Sequence, residues 1–244
     1  MTFLEIIMLR IAWFSDFSSN KELSSKSAYF SDLVLPLLRE GNDIDCYGAE
    51  AFTADGQSVF SWTEAMGRHR RQQYDVFIYQ IENVDKLGFV FKFLKQMPGV
   101  VIIHDLNCLR FYGRDNVLEN PQKNSLVPKI SSDLDHFNLM NPLLNNFCLD
   151  PYLYSLIRIF TNPRTSLDYK NLCAKCGESI YSAGEPTEDS HTYVLSCLQA
   201  FADSGGEDVR SLAGDFCTIL ENNLSYLKGS LARWEKYMYY RGSA

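Results

Sequence analysis

Short β-branched runs alternate with longer stretches of helical periodicity along the first hundred residues. Leu9 to Phe14 is short and mostly apolar and reads as the first strand. A polar loop from Ser15 to Ser24 leads to a helix over about Ser25 to Glu40. Its apolar residues Phe30, Leu33, Val34, Leu37 and Leu38 fall at helical spacing and mark one buried face. Gly41 stands where a helix C-cap belongs. Ile44 to Tyr47, Val76 to Tyr79 and the run after Pro98-Gly99 read as further strands. Helical stretches at Trp62 to Arg71 and Leu87 to Gln96 separate them. Strands spaced by helix-length segments predict βαβ units, a Rossmann-like α/β parallel sheet and right-handed crossovers.

The pattern then loosens. Gly113 to Asp135 is polar and reads as a long loop, and His136 to Leu149 as a helix. Leu156 to Thr161 reads as a fifth strand, Pro163 to Cys173 as a helix, and Ser179 to Ser182 as a short sixth strand. Gly184-Glu185-Pro186 breaks the alternation. This divides the chain into a Rossmann-like region, 1–186, and an α-helical C-terminal extension, 187–244. The extension reads as three helices and no strand: Ser190 to Ala202, Asp208 to Leu227 and Leu231 to Tyr240. Phe216, Ile219, Leu220, Leu224, Leu227, Leu231, Trp234, Tyr237 and Met238 form a stripe along the last two. That stripe must be buried by a helical hairpin on the domain or by a homodimer, with Trp234, Tyr237, Tyr239 and Tyr240 as anchors.

Composition narrows the function. A hydrophobic share of 46% over 244 residues is ample for a core. The net charge of −7 argues against nucleic acid as a partner. Arg68-His69-Arg70-Arg71 is the one dense basic cluster and reads as a solvated helix end, with an anionic membrane or phosphate contact as the lesser reading. The apolar N-terminus is interrupted by Glu5 and Arg10 and lacks signal-peptide features. With no transmembrane segment in view, the expected location is cytoplasmic, with peripheral association at the inner membrane face as the alternative. Seven cysteines without a framework suit a reducing compartment. Cys173-x-x-Cys176 with His191 and Cys197 can be written as a zinc pattern. In one helix from Ser190 to Ala202, however, His191 and Cys197 face different ways, so core cysteines are the preferred reading.

Candidate chemistry concentrates at Pro98-Gly-Val-Val-Ile-Ile-His-Asp-Leu106. A buried strand ends in His104-Asp105, and ligands of open α/β sheets bind outside the carboxyl ends of strands. The plain alternative is a strand-end histidine satisfied by backbone, with Asp105 as an N-cap. Asp16, after the first strand, is a lone carboxylate. GxGxxG, Walker A and GxSxG patterns are all absent.

Several segments together resemble family-4 glycosyltransferases. Ser25-Lys-Ser-Ala-Tyr-Phe-Ser-Asp-Leu-Val-Leu-Pro-Leu-Leu38 is similar to the segment after the first strand of that family. Gly41-Asn-Asp-Ile-Asp-Cys-Tyr47 resembles its GHEVDVY strand. Tyr74-Asp-Val-Phe-Ile-Tyr-Gln-Ile-Glu-Asn83 resembles YDxxxYQxGN, and Pro98 to Leu106 resembles PGVVVLHDL. Ile159-Phe-Thr-Asn-Pro-Arg164 resembles a later strand and turn. The order holds from about Leu9 to Pro186, which corresponds to the N-terminal, acceptor-side domain of the GT-B fold.

The resemblance implies a retaining transfer of sugar from a nucleotide-sugar to a glycan or lipid-linked acceptor in envelope polysaccharide synthesis. It implies no bound metal and no cofactor beyond that donor. By that match His104 faces the sugar near the reacting centre; Asp105 beside it is the second catalytic candidate, orienting the loop or capping the next helix, and Asp16, Ser25, Lys26, Gln80 and Asn83 are the candidate substrate-binding residues. Departures run beside these matches. Lys26 replaces the family's Gly, Tyr29 its Asp, and Glu82-Asn83 its Gly-Asn. Cys108-Leu109 stands where a second His is common. The Glu-x7-Glu pair of the donor domain is absent. Two functions follow: a sugar-transferring protein whose donor half comes from a partner, or a non-catalytic binding or scaffold relative.

Overall fold

A computed structural model describes residues 8–17, 25–54, 56–82, 84, 87–105, 155–163, 166, 191–195 and 206–242. The elements are β1 (Arg10–Phe14), α1 (Lys26–Leu38), β2 (Asp43–Gly48), β3 (Phe52–Ala54), β4 (Gln57–Ser61), α2 (Ala65–Arg71), β5 (Val76–Ile81), α3 (Gly88–Leu94), β6 (Gly99–Ile103), β7 (Ser155–Phe160), β8 (Thr192–Val194) and α4 (Gly206–Gly242). The loop at 113–135, the helix at 136–149, the strand at 179–182 and nearly all of the helix at 163–173 lie outside the described residues.

The strands form one eight-stranded sheet in the order β3-β4-β2-β1-β5-β6-β7-β8. Every pairing is parallel except that of β3 with β4. The four strands expected near Leu9, Ile44, Val76 and Val100 are therefore parallel neighbours, and the α/β, Rossmann-like expectation holds at that level. Leaving aside the β3 edge, the order runs outward in both directions from β1 and β5. The crevice between those two strands is the topological switch point, where such sheets bind ligands.

Period-2 alternation sorts the side chains into two cores. Ile11, Trp13, Val76, Ile78, Val100, Ile102, Ile157 and Ile159 face α1 and the first part of α4. Ala12, Phe14, Phe77, Tyr79, Val101, Ile103 and Phe160 face α2 and α3. The second face is an aromatic stack: Phe14 lies 4.8 Å from both Tyr47 and Phe93, and 5.0 Å from Tyr79. Each of these rings contributes about 2–3 kcal/mol by leaving water. Gly99 opens β6 where the backbone passes against the Phe77 carbonyl, and a Cβ there would collide with it.

Local expectations fared differently. Ser25 is the α1 N-cap, its Oγ accepting from Ala28 N at 3.1 Å. Gly41 is not a left-handed C-cap: Gly56 is the only positive-φ glycine among the described residues. α1 ends instead on Arg39 in the right-handed region, with Asn42 Nδ2 donating to the Leu38 carbonyl at 2.9 Å. The antiparallel β3–β4 hairpin was not expected, although Asp55-Gly56 carries the turn signal for it, and Gly56 sits at φ 75°.

The C-terminal region departs most. Thr192–Val194 is a strand paired with β7, not part of a helix from Ser190 to Ala202. The argument that helical spacing separates His191 from Cys197 therefore fails. Cys173, Cys176 and Cys197 lie outside the described residues, and no cluster among the described residues could hold a metal. The two expected tail helices are one helix, α4, of 37 residues. Gly229 continues it without strain, the nearest neighbour of a notional Cβ being the Arg233 side chain at 3.7 Å.

At 1.5 Å per residue α4 is about 55 Å long, enough to serve both faces of the sheet. Val209, Leu212, Phe216, Leu220 and Leu227 pack into the first core, with Phe216 5.8 Å from Trp13. Lys228 then pairs with Asp75, just before β5, at 2.7 Å. Leu231 and Trp234 reach the second core, where Trp234 Nε1 donates to the Gln96 carbonyl at 2.5 Å. The helix crosses the sheet's amino edge, and its stripe through Leu231 is buried within the chain rather than in a hairpin. No helix of the described residues is long and apolar enough to cross a membrane.

Candidate functional site

β1 and β5 end side by side, and α1 begins beside both. Ser15 and Asp16 extend β1, Glu82 extends β5, and His104-Asp105 extend β6. Ser25, Lys26, Gln80, His104 and Asp105, chosen from sequence, thus come together at the carboxyl edge, linked by the contacts below. Asp16 is buried just past β1 and has no hydrogen bond to another described residue. Asn83 lies outside the described residues.

His104 is buried, and both of its ring nitrogens are engaged. Nε2 meets Gln80 Oε1 at 2.7 Å, and Nδ1 meets Thr161 Oγ1 at 3.1 Å. Gln80 Nε2 donates to Ser15 Oγ at 3.0 Å and to Ser31 Oγ at 2.5 Å. Trp13 Nε1 also donates to Ser31 Oγ, at 3.2 Å. These partners assign the tautomer: Gln80 spends its amide hydrogens on the serines, so its carbonyl must accept from His104 Nε2–H. Nδ1 then faces the Thr161 hydroxyl at 3.1 Å as an acceptor and shares its single hydrogen with the Ile103 carbonyl, 3.3 Å from Thr161 Oγ1. Burial pushes the imidazole pKa down to about 3, with the Lys26 charge adding to the effect. His104 is a neutral member of a closed network, and its satisfaction comes from side chains rather than from backbone.

Glu82 occupies the first turn of α1. Its two carboxylate oxygens accept from Lys26 N at 3.1 Å and Ser27 N at 2.9 Å. A helix N-terminus offers unpaired amides and the positive end of a dipole, the standard seat of a phosphate. In this chain a buried side-chain carboxylate fills that seat. Sequence reading noted Glu82 only as a departure from a Gly; the acidic residue itself was the signal. Ser27 and Ser31, polar residues on the otherwise apolar face of α1, likewise signalled a buried network.

The rim is more open. Lys26 Nζ pairs with Asp105 Oδ1 at 2.6 Å, and the lysine side chain is 56% exposed. Such a pair contributes about 0–1 kcal/mol to stability. Its charged groups are the ones placed to hydrogen-bond hydroxyls of an incoming molecule. Compared with known proteins, the chain matches no family model, no curated protein and no solved structure.

Proposed function

We propose that the chain is a glycosyltransferase-like binding subunit of the GT-B N-terminal type, one that engages a glycan or a glycan-assembly partner without itself transferring sugar. The observation that carries this reading is the Glu82 carboxylate on the α1 amides. A nucleotide-sugar diphosphate directed to that helix end would meet a buried negative charge in place of free N–H donors. The state of His104 agrees with it. A neutral imidazole with both nitrogens committed has no site left for proton transfer or for a sugar hydroxyl. Lys26 and Asp105 at the rim supply the polar groups for recognising a hydroxyl-rich ligand.

Calorimetric titration with UDP-glucose and GDP-mannose tests the proposal. The expected outcome is no saturable binding. A micromolar dissociation constant, about −8 kcal/mol, would sink the binding-subunit reading. It would favour sugar transfer instead. That second reading draws on the gathering of His104, Asp105, Lys26 and Gln80 at one sheet edge, where the resemblance puts a reacting centre.

A further inference from the structure

The amino edge of the sheet carries a separate groove of about 530 Å³, between the C-terminal half of α2, the turn before β6 and the α4 segment around Glu235. We infer that this groove binds a neutral, planar nitrogen heterocycle of purine-nucleoside size. The volume lies within the range of small-molecule sites, about 300–1,000 Å³.

The inference rests on what the walls offer. Met66, half-buried, offers a thioether that suits the face and edge of an aromatic ring, over a floor closed by the buried Met97. Arg70 and Gln73 are exposed on the rim and make no hydrogen bond or ion pair with another described residue. A guanidinium stacks on a flat π-system, and a carboxamide pairs with the adjacent donor and acceptor of a purine edge. Gln96 adds a second carboxamide, whose Nε2 donates to the Lys92 carbonyl at 3.4 Å.

The charge balance selects a neutral ligand. Glu235 and Arg70 both line the groove, so a phosphate would gain one cation and meet one carboxylate. His69 does not alter the count. Its Nδ1 accepts the Tyr74 backbone N–H at 2.9 Å, which leaves Nε2–H to donate to Glu235 Oε1 at 2.5 Å. Histidine and glutamate thereby fix each other and hold α4 against α2, giving the groove a rigid back wall. The site lies at the opposite sheet edge from Glu82 and His104, so its occupancy is independent of the function proposed above.

The test is titration of the full chain with adenosine and guanosine, followed by calorimetry and by tryptophan emission, since Trp234 adjoins the groove. Saturable binding of one nucleoside per chain is expected. Arg70→Ala and Gln73→Ala, both at exposed positions, should each weaken it about tenfold, equivalent to about 1.4 kcal/mol, without changing the circular dichroism spectrum. UDP-glucose should not compete. Absence of saturable binding for both nucleosides at about 1 mM, the weak end of the affinity scale, overturns the inference. Binding unchanged in both variants overturns the location.

Discussion

Both edges of the sheet pair their buried polar groups, the amino edge through Arg10, Arg68 and Asp45, but they differ at the rim. At the carboxyl edge, where α/β sheets conventionally bind ligands, the chain satisfies its own groups. Glu82 caps α1, Gln80 and Thr161 take both nitrogens of His104, and Lys26 pairs with Asp105. At the amino edge, conventionally the structural end, Arg70 and Gln73 border an open groove. A fold's usual site is a statement about backbone geometry. Which edge can receive a ligand depends on the side chains that have already claimed its donors and acceptors.

Breaking the carboxyl-edge network should give the largest effect. His104→Ala removes a buried ring and strands Gln80 and Thr161 without partners, for an expected loss of about 3 kcal/mol in urea unfolding. Arg70→Ala at the amino edge should stay within about 0.5 kcal/mol. Equal costs would remove the contrast.

The same histidine gives a pH signature. Its folded pKa, about 3, lies below the unfolded value of about 6.5, so unfolding takes up a proton in acid. Its contribution is intact above pH 6.5, declines as pH falls and levels off below 3. Wild type should therefore lose about 2 kcal/mol more than His104→Gln between pH 7 and 5. Identical losses would mean that His104 is not held neutral by its surroundings.

Glu82→Gln should cost about 1 kcal/mol, the charge-assisted part of the helix cap. Glu82→Gly sharpens the comparison further. It frees the α1 amides, so inorganic phosphate should raise the melting temperature of that variant and leave wild type unchanged. A phosphate-dependent shift in wild type would show that the seat is not filled. Glu235→Ala is expected to be mildest, about 0.5 kcal/mol, because the carboxylate is one-third exposed. A double-mutant cycle with His69→Ala isolates the pair.

Legibility followed the length and burial of each element. β1, β5 and β6 declared themselves through unbroken apolar runs. β3 and β8 span only three residues each, too few for periodicity to outweigh their surroundings. Thr192-Tyr193-Val194 acquires its strand state from pairing with β7, a partner more than thirty residues earlier. Lys228-Gly229-Ser230 separates the two expected tail helices; docking on both faces of the sheet outweighs the penalty of about 1 kcal/mol that Gly229 puts on a continuous helix. At the site, the sequence located His104 at a strand end. It could not reveal that Gln80 and Thr161, distant in the chain, close over both nitrogens. Glu82 shows the converse: the identity of one residue announced the change, but only the helix amides beside it explain what it does.

The two-faced docking of α4 has a consequence for biosynthesis. β1, β2 and β5 can pair as soon as the first eighty or so residues have left the ribosome. The contacts of Trp13 and Phe30 with Phe216 on one side, and of the Gln96 carbonyl with Trp234 on the other, wait until residues 206–242 emerge. At bacterial or eukaryotic translation speeds that interval is on the order of ten seconds. During it a nascent sheet shows greasy surface on both sides at once, and a single late segment seals the two together. Chaperone capture of the nascent chain, and its release on completion of α4, would be the cellular trace of one helix serving two cores.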